Sequence, residues 1–295
     1  MAADRHNLNL SAGLASMAVA GTVVALKGWA QLATGSLSIA ASLVDSLLDL
    51  MIAAANFAAI RYAARPADAD HQFGHTAAED IAALAQAAIV SVSAVVIGAG
   101  AAWRLANPTP LTAETEGAVV MVVSLLLTGA LIGWQVRVAR ATGSKVVRAD
   151  MAHYLSDFLP MVGALVALAG SRFFAAEWLD PALALIAAVW ILRTGVGIGR
   201  SAWDGLMDRE APDETVARIA AIADACEGLD GWHDLRTRMS GTRLFVQIHA
   251  EIDGALSLRE AHQIGERLRR DILAVGDDVD VIVHHDPVDR SRPAL

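Results

Sequence analysis

Asp45 and Asp49 stand four residues apart in an apolar stretch of the chain, and His153 and Asp157 repeat that spacing in another. Four residues is one helical turn, so each pair lies on one face of a helix. An ionised side chain at mid-membrane costs at least about 2.5–3.5 kcal/mol, which makes it a functional candidate by default. Two carboxylates a turn apart also repel each other unless a cation lies between them. If one stretch runs toward the cytoplasm and the other away from it, Asp49 levels with His153 and Asp45 with Asp157. Three carboxylate oxygens and one imidazole nitrogen suit a tetrahedral divalent ion of the zinc type. Such a set overcompensates a dication, which leaves a role for protons. The bland alternative is a polar helix–helix contact satisfied by water or by Ser46 and Ser156. Two matched pairs at one depth favour metal ligands.

Two further groups have ligand chemistry. The segment Pro66 to His75 places Asp68, His71 and His75 at spacings that can converge on one ion in a tight loop, although a solvated loop has the same composition. Near the C-terminus stand five of the nine histidines, His233, His249, His262, His284 and His285, with Asp286 beside them. Any one of these reads as a solvated residue; five on so short a segment favour a metal cluster. The single cysteine, Cys226, permits neither an internal disulfide nor a thiolate cluster, so metal chemistry falls to His, Asp and Glu.

These residues need elements to position them. A spanning helix takes roughly 20 apolar residues. Six runs qualify, at about 8–31, 37–62, 81–103, 117–139, 147–170 and 180–200. Ala18-Val19-Ala20 resembles a signal-peptide cleavage site, but the apolar run continues beyond it, which predicts a retained helix. Lys and Arg gather on one set of connections (Arg61, Arg65, Arg137, Arg140, Lys145, Arg148, Arg200 and Arg209), against Arg104 and Arg172 on the other. By the positive-inside rule both termini are cytoplasmic. A net charge of −9, carried mostly after Asp208, argues against a nucleic-acid partner.

The last third of the chain reads as a soluble domain. Pro212 and Asp213 open a helix to Glu227. Strands follow at Trp232–Met239 and Arg243–Ile252, with Ser240-Gly241-Thr242 as the turn. A helix over Leu258–Leu273 and a strand over Val279–His284 complete the order αββαβ, a small α+β domain with an open sheet. An open face or edge invites pairing with a second copy, so a homodimer is expected. The expected organisation is a six-helix transmembrane domain over 1–207, a cytoplasmic α+β domain over 208–290 and a tail over 291–295.

Several segments together resemble the cation diffusion facilitator family, in its bacterial zinc and ferrous-iron efflux branch. They are Ser36 through Asp45 to Asp49, Arg61-Tyr62 through Asp68 to His75, Arg148 through Asp150 and His153 to Asp157, His233 through Arg238, and Val283 to Pro287. The resemblance implies a transport site of Asp45, Asp49, His153 and Asp157, and a loop site of Asp68, His71 and His75. It implies a two-metal cytoplasmic site of His233, His249, His262, His284 and Asp286 in a metallochaperone-like domain. It further implies a homodimer in the bacterial inner membrane that exchanges Zn2+, or cadmium or ferrous iron, for protons by alternating access.

The chain departs from that pattern twice. His285 stands where members usually have Gln, which alters one candidate ligand. Ala77 stands where members carry a Lys that pairs with an aspartate of the partner protomer; Asp208 matches that aspartate, leaving neighbouring Arg209 to shield it. Two rival functions are an intramembrane aspartyl protease, whose two aspartates would sit on separate helices, and a metal sensor that moves nothing. An ATP-driven pump is excluded by the lack of a Gly-x-x-x-x-Gly-Lys-Ser/Thr loop and of a large soluble phosphorylation domain.

Overall fold

The computed structural model describes residues 2–34, 37–107, 118–174 and 179–288. The expected tail 291–295, and Ser36 at the start of the second apolar run, lie outside these. The chain divides into two compact units, Ala3–Trp203 and the segment from Asp204 onward.

The first unit is built of six long helices: α1 (Ala2–Thr34), α2 (Leu37–Ala63), α3 (Ala77–Ala106), α4 (Ala118–Thr142), α5 (Lys145–Phe174) and α6 (Leu179–Leu206). Long runs of Ala, Val, Leu and Ile leave the backbone one way to satisfy its polar groups in lipid, which is the helix. Among the described residues α1, α2, α3, α4 and α6 each hold a stretch long and apolar enough to cross a membrane. At 30 residues α5 has the length, but its first half carries Lys145, Arg148, Asp150, His153 and Asp157. The polar chemistry of α5 is concentrated in that half, ahead of the apolar run 161–170. Its neighbours are α2, α3 and α4.

That packing is organised around a buried carboxylate. Asp150 is 3% exposed. Its Oδ2 accepts from Ser16 Oγ on α1 at 2.5 Å and from Gln135 Nε2 on α4 at 2.7 Å; its Oδ1 accepts from Asn56 Nδ2 on α2 at 2.8 Å. Asn56 Nδ2 also donates to Gln86 Oε1 on α3 at 2.9 Å. Five helices therefore meet through one hydrogen-bonded group, surrounded by an apolar cluster that includes Ala12, Ile60, Val90, Val138 and Ile191. In an apolar interior such a network specifies helix register, because any slip strands its members.

The second unit contains α7 (Asp213–Asp224), β1 (Leu229–Ser240), β2 (Arg243–Asp253), α8 (Leu258–Leu273) and β3 (Val279–Val288). The sheet order is β1-β2-β3, with β1 antiparallel and β3 parallel to β2. Alternation along β2 buries Val246, Ile248, Ala250 and Ile252 against Ile219 of α7 and Leu268 and Ile272 of α8. The opposite face of β2 presents Gln247, His249 and Glu251. A capping box starts α8: Ser257 Oγ accepts from Glu260 N at 3.4 Å, and Glu260 Oε2 accepts from Ser257 N at 2.9 Å.

Asp208 does not depend on Arg209. It pairs with Arg238 of β1 at 2.8 Å, while Arg209 turns to Asp204. Arg238 also lies over the Phe245 ring of β2, 4.2 Å from its centroid, a placement that adjacency in sequence did not suggest.

The Asp150 network makes a stability prediction. Asp150→Ala strands donors on three helices, each at about 1–3 kcal/mol before rearrangement. Detergent-solubilised protein should unfold at a lower temperature than wild type. Asp150→Asn, which keeps one acceptor, should lose less. Equal thermal midpoints for all three proteins would show that the network carries no register information.

Candidate metal centres

Within the helical unit α2 and α5 bring Asp49 and His153 together, with His153 Nε2 3.2 Å from Asp49 Oδ1. The same nitrogen lies 4.0 Å from Asp157 Oδ2, one turn along α5. One ligand atom from each of Asp49, His153 and Asp157 lies within 4.8 Å of the others. Tetrahedral zinc with bonds of about 2.0–2.2 Å separates its ligands by roughly 3.3–3.5 Å, so a small inward movement of Asp157 completes three corners. His153 is buried, and its Nδ1 has no hydrogen-bond partner among the described residues. Asp45 lies outside this triad, but with Asp49 and Asp157 it lines an adjoining cavity of about 370 Å³.

The loop between α2 and α3 folds on Asp68. Its Oδ1 accepts from the backbone N–H of Asp70 at 3.0 Å and of His71 at 2.7 Å. These bonds, the one from His71 foremost, hold its carboxyl below the usual carboxylate range. Gly74 takes φ 87°, a left-handed turn that lets His75 fold back. His75 is buried, with Nδ1 3.3 Å from the carbonyl oxygen of Arg65 and Nε2 3.3 Å from Asp68 Oδ2. A carbonyl only accepts, so Nδ1 carries the proton and a neutral His75 turns its Nε2 lone pair toward a carboxylate. That contact needs a cation between the two, either a proton or a metal. His71 completes the group, its ring 4.5 Å from that of His75.

In the second unit the strand register does the assembling. His233 pairs with His249 across β1–β2, and His249 with His284 across β2–β3. Three imidazoles therefore stand in a row on the face away from the helices, with ring centroids 5.1 and 4.5 Å apart. Asp286, two residues beyond His284, shares that face. Its Oδ2 is 2.8 Å from His249 Nδ1 and 3.3 Å from His233 Nε2, and its Oδ1 is 2.7 Å from His284 Nδ1. One carboxylate with its two oxygens turned to different histidines is the arrangement of a bridging ligand between two ions. Its hydrogen bond with His249 holds it below the ordinary carboxylate value. Imidazole nitrogen and carboxylate oxygen are donors that zinc accepts, so the residues fit that ion. Glu251 joins the group, its Oε1 3.0 Å from His233 Nδ1.

His262 and His285 are placed apart from that row. Strand alternation turns His285 to the other face of the sheet, where its ring covers Gly265 of α8 so closely that a Cβ there would overlap its Nε2. The His262 ring lies 6.3 Å away. The expected six-residue cluster thus divides into four residues on the open face and two beside α8.

Sequence reasoning missed three participants. Glu251 follows His249 by two, the period of a strand face, and that signal was available. Lys27 of α1 also lines the cavity beside Asp45 and Asp49; a lysine inside an apolar run is itself a signal. The partners of Asp150 are neutral amides and a hydroxyl, and nothing in their spacing marks them.

With this geometry in view, comparison with known proteins is decisive. Residues 13–207 match the cation efflux transmembrane domain, and residues 211–288 match the cytoplasmic domain of cation efflux proteins. The chain belongs to the cation diffusion facilitator, or cation efflux, family. It is an integral membrane protein of a transporter family. It is 43% identical over 277 residues to a cation-efflux pump, FieF, of Shewanella oneidensis, covering 94% of this chain and 93% of the relative. The FieF of Shigella flexneri is 40% identical over 276 residues, covering 94% and 92%. A solved structure, the metal-bound C-terminal domain of the CzcD transporter from Thermotoga maritima, covers 25% of this chain and 87% of its own at 29% identity, with TM-score 0.24.

The position of His285 has a pH consequence. Burial, then the neighbouring His262 and His284, lower its pKa from 6.5. The folded form therefore binds fewer protons than the unfolded one just below that value. Its contribution to stability is full above about pH 6.5 and is lost as pH falls toward the depressed folded value. Metal-free His285→Gln protein should lose less tail-domain stability than wild type between about pH 7 and 5.5. Parallel pH–stability curves for the two would refute the assignment.

Proposed function

We propose that this protein exports a divalent metal ion of the zinc type from the cytoplasm, with protons moving the opposite way. The observation that carries the reading is the Asp49–His153–Asp157 group inside a helical bundle of a cation efflux protein. The cargo ion bridges α2 and α5 through these three residues, and Asp45 supplies the third oxygen as the fourth ligand. The bacterial relatives named as efflux pumps favour a cytoplasm-to-outside direction across the inner membrane, and the distribution of Lys and Arg favours cytoplasmic termini. The donor set admits zinc and cadmium, and ferrous iron as well.

Protons enter because ligands must be deprotonated to hold a metal. His153 is the group of the set that titrates nearest neutral pH in its unperturbed form. When the ion leaves, the carboxylates that faced it are left repelling one another, and protons relieve that repulsion. A site loaded alternately with metal and protons is never an uncompensated cluster of anions in a low-dielectric bundle.

In the cytoplasmic domain His233, His249, His284 and Asp286 would hold zinc, with Glu251 orienting His233. Bound zinc there supplies fixed positive charge that locks the three strands together. The same open sheet face makes a homodimer the favoured assembly. Asp68, His71 and His75 form a third site whose occupancy orders the loop after α2.

Liposome flux tests the reading. Purified wild-type protein should accumulate zinc against its gradient when a proton gradient is imposed in the opposite direction. Asp49→Ala and Asp157→Ala should reduce flux to the background of empty liposomes while remaining folded. Wild-type flux from either variant would remove the site. Flux indifferent to the pH gradient would remove antiport and leave a uniporter.

A further inference from the structure

The transport cavity contains a charge of its own. Lys27 of α1 lines it together with Asp45, Asp49 and Asp157. Its ammonium donates to Ser46 Oγ at 2.7 Å and to the Ser42 carbonyl oxygen at 3.2 Å, both on α2. Ser46 is buried and lies next to Asp45. These bonds direct the lysine into the cavity, within electrostatic reach of all three carboxylates.

Its place along the helices gives it a direction. Lys27 is near the end of α1, and Ser42 lies near the start of α2, with Asp45 and then Asp49 further along. The ammonium therefore sits toward the α1–α2 connection, on the side opposite the loop that carries Asp68. With the termini cytoplasmic, that is the side toward which cargo departs.

Charge then decides what it does. Three carboxylates around a dication leave one negative charge uncompensated. An ammonium beside Asp45 makes the loaded group neutral. The same ammonium repels the ion, and in a low-dielectric cavity at short range that repulsion is large. When the ion is gone, the ammonium remains as partial compensation for the carboxylates.

We propose that Lys27 is a tethered countercation that weakens metal binding at the transport site and so speeds release on the exit side. The proposal rests on the transport-site reading above. Lys27 does not touch the cargo as a ligand; it acts through the field at Asp45, Asp49 and Asp157, with Ser46 holding it in position.

Two consequences distinguish this from a lysine that only ties α1 to α2. Removing the charge should make binding tighter, whereas loss of a structural tie makes it weaker. Tighter binding should lower KM and the maximal rate together, because release slows.

The test is zinc binding and flux for the full-length protein, in a background carrying His71→Ala, His75→Ala, His233→Ala, His249→Ala, His284→Ala and Asp286→Ala so that the loop and tail groups lose their ligands. At one near-neutral pH, the same for every variant, Lys27→Met and Lys27→Gln should lower the zinc Kd by at least about tenfold. Both should reduce KM and maximal flux. Lys27→Arg, which keeps the charge, should stay near wild type. Lys27→Gln retains a donor for Ser46 and guards against a Met variant that fails to fold. Unchanged or weaker binding in the neutral variants, with binding abolished by Asp49→Ala, would overturn the role of Lys27 and leave the site standing. Binding that survives Asp49→Ala would overturn the site itself.

Discussion

The cost of a charge in a low-dielectric bundle governs this structure. A carboxylate moved away from water must find donors, a cation or a proton. The helical unit meets that demand in two ways on successive turns of α5. Asp150 is satisfied permanently by Ser16, Asn56 and Gln135. Further along the helix, His153 and Asp157 face Asp49, with the Ser156 hydroxyl donating to Asp157 at 3.3 Å and the His153 ring 3.2 Å from Asp49. The first arrangement is complete without an ion and holds the helices in register. The second, on the proposed reading, is completed by the cargo ion or by protons. Their adjacency links them, because the network that fixes α5 also fixes where His153 points.

Much of this was legible in the residues. Four-residue spacing of acids in apolar runs singled out Asp45, Asp49, His153 and Asp157, of which the fold groups Asp49, His153 and Asp157, and apolar run lengths gave the six long helices. The αββαβ order followed from strand and helix periods, with boundaries that moved by a few residues. What the pattern could not reveal was tertiary choice. His285 sits beside His284 in sequence, yet strand alternation sends it to the opposite face, toward Gly265. Asp208 pairs with Arg238, thirty residues away, in preference to its neighbour Arg209. Amides such as Gln135 and Asn56 carry no charge to betray them in a composition, although they satisfy the buried carboxylate of Asp150.

The field of the cavity also belongs to more residues than its ligands. A site described by Asp49, His153 and Asp157 alone has too much negative charge for one dication once Asp45 is added. Lys27 alters that balance from a helix that contributes no ligand. Affinity at such a site is set by the sum of nearby charges, so a residue that never touches cargo can tune how readily cargo leaves. A transporter has reason to use that freedom, since a ligand set strong enough to capture scarce metal is otherwise slow to surrender it.

The same donors in the cytoplasmic domain are mounted differently. His233, His249 and His284 are fixed by a strand register in which each is hydrogen-bonded through its backbone neighbours to the next strand. Moving one relative to another means breaking a ladder. Asp49 and His153 belong to separate helices that contact through side chains, and Asp157 already stands 4.0 Å from His153 where 3.2 Å separates Asp49 from it. Turning the Asp49 or Asp157 side chain to another rotamer would open that group without breaking a backbone hydrogen bond or the Asn56–Asp150 tie. Sheet-mounted ligands therefore suit a metal that stays, and ligands divided between helices suit one that must be released.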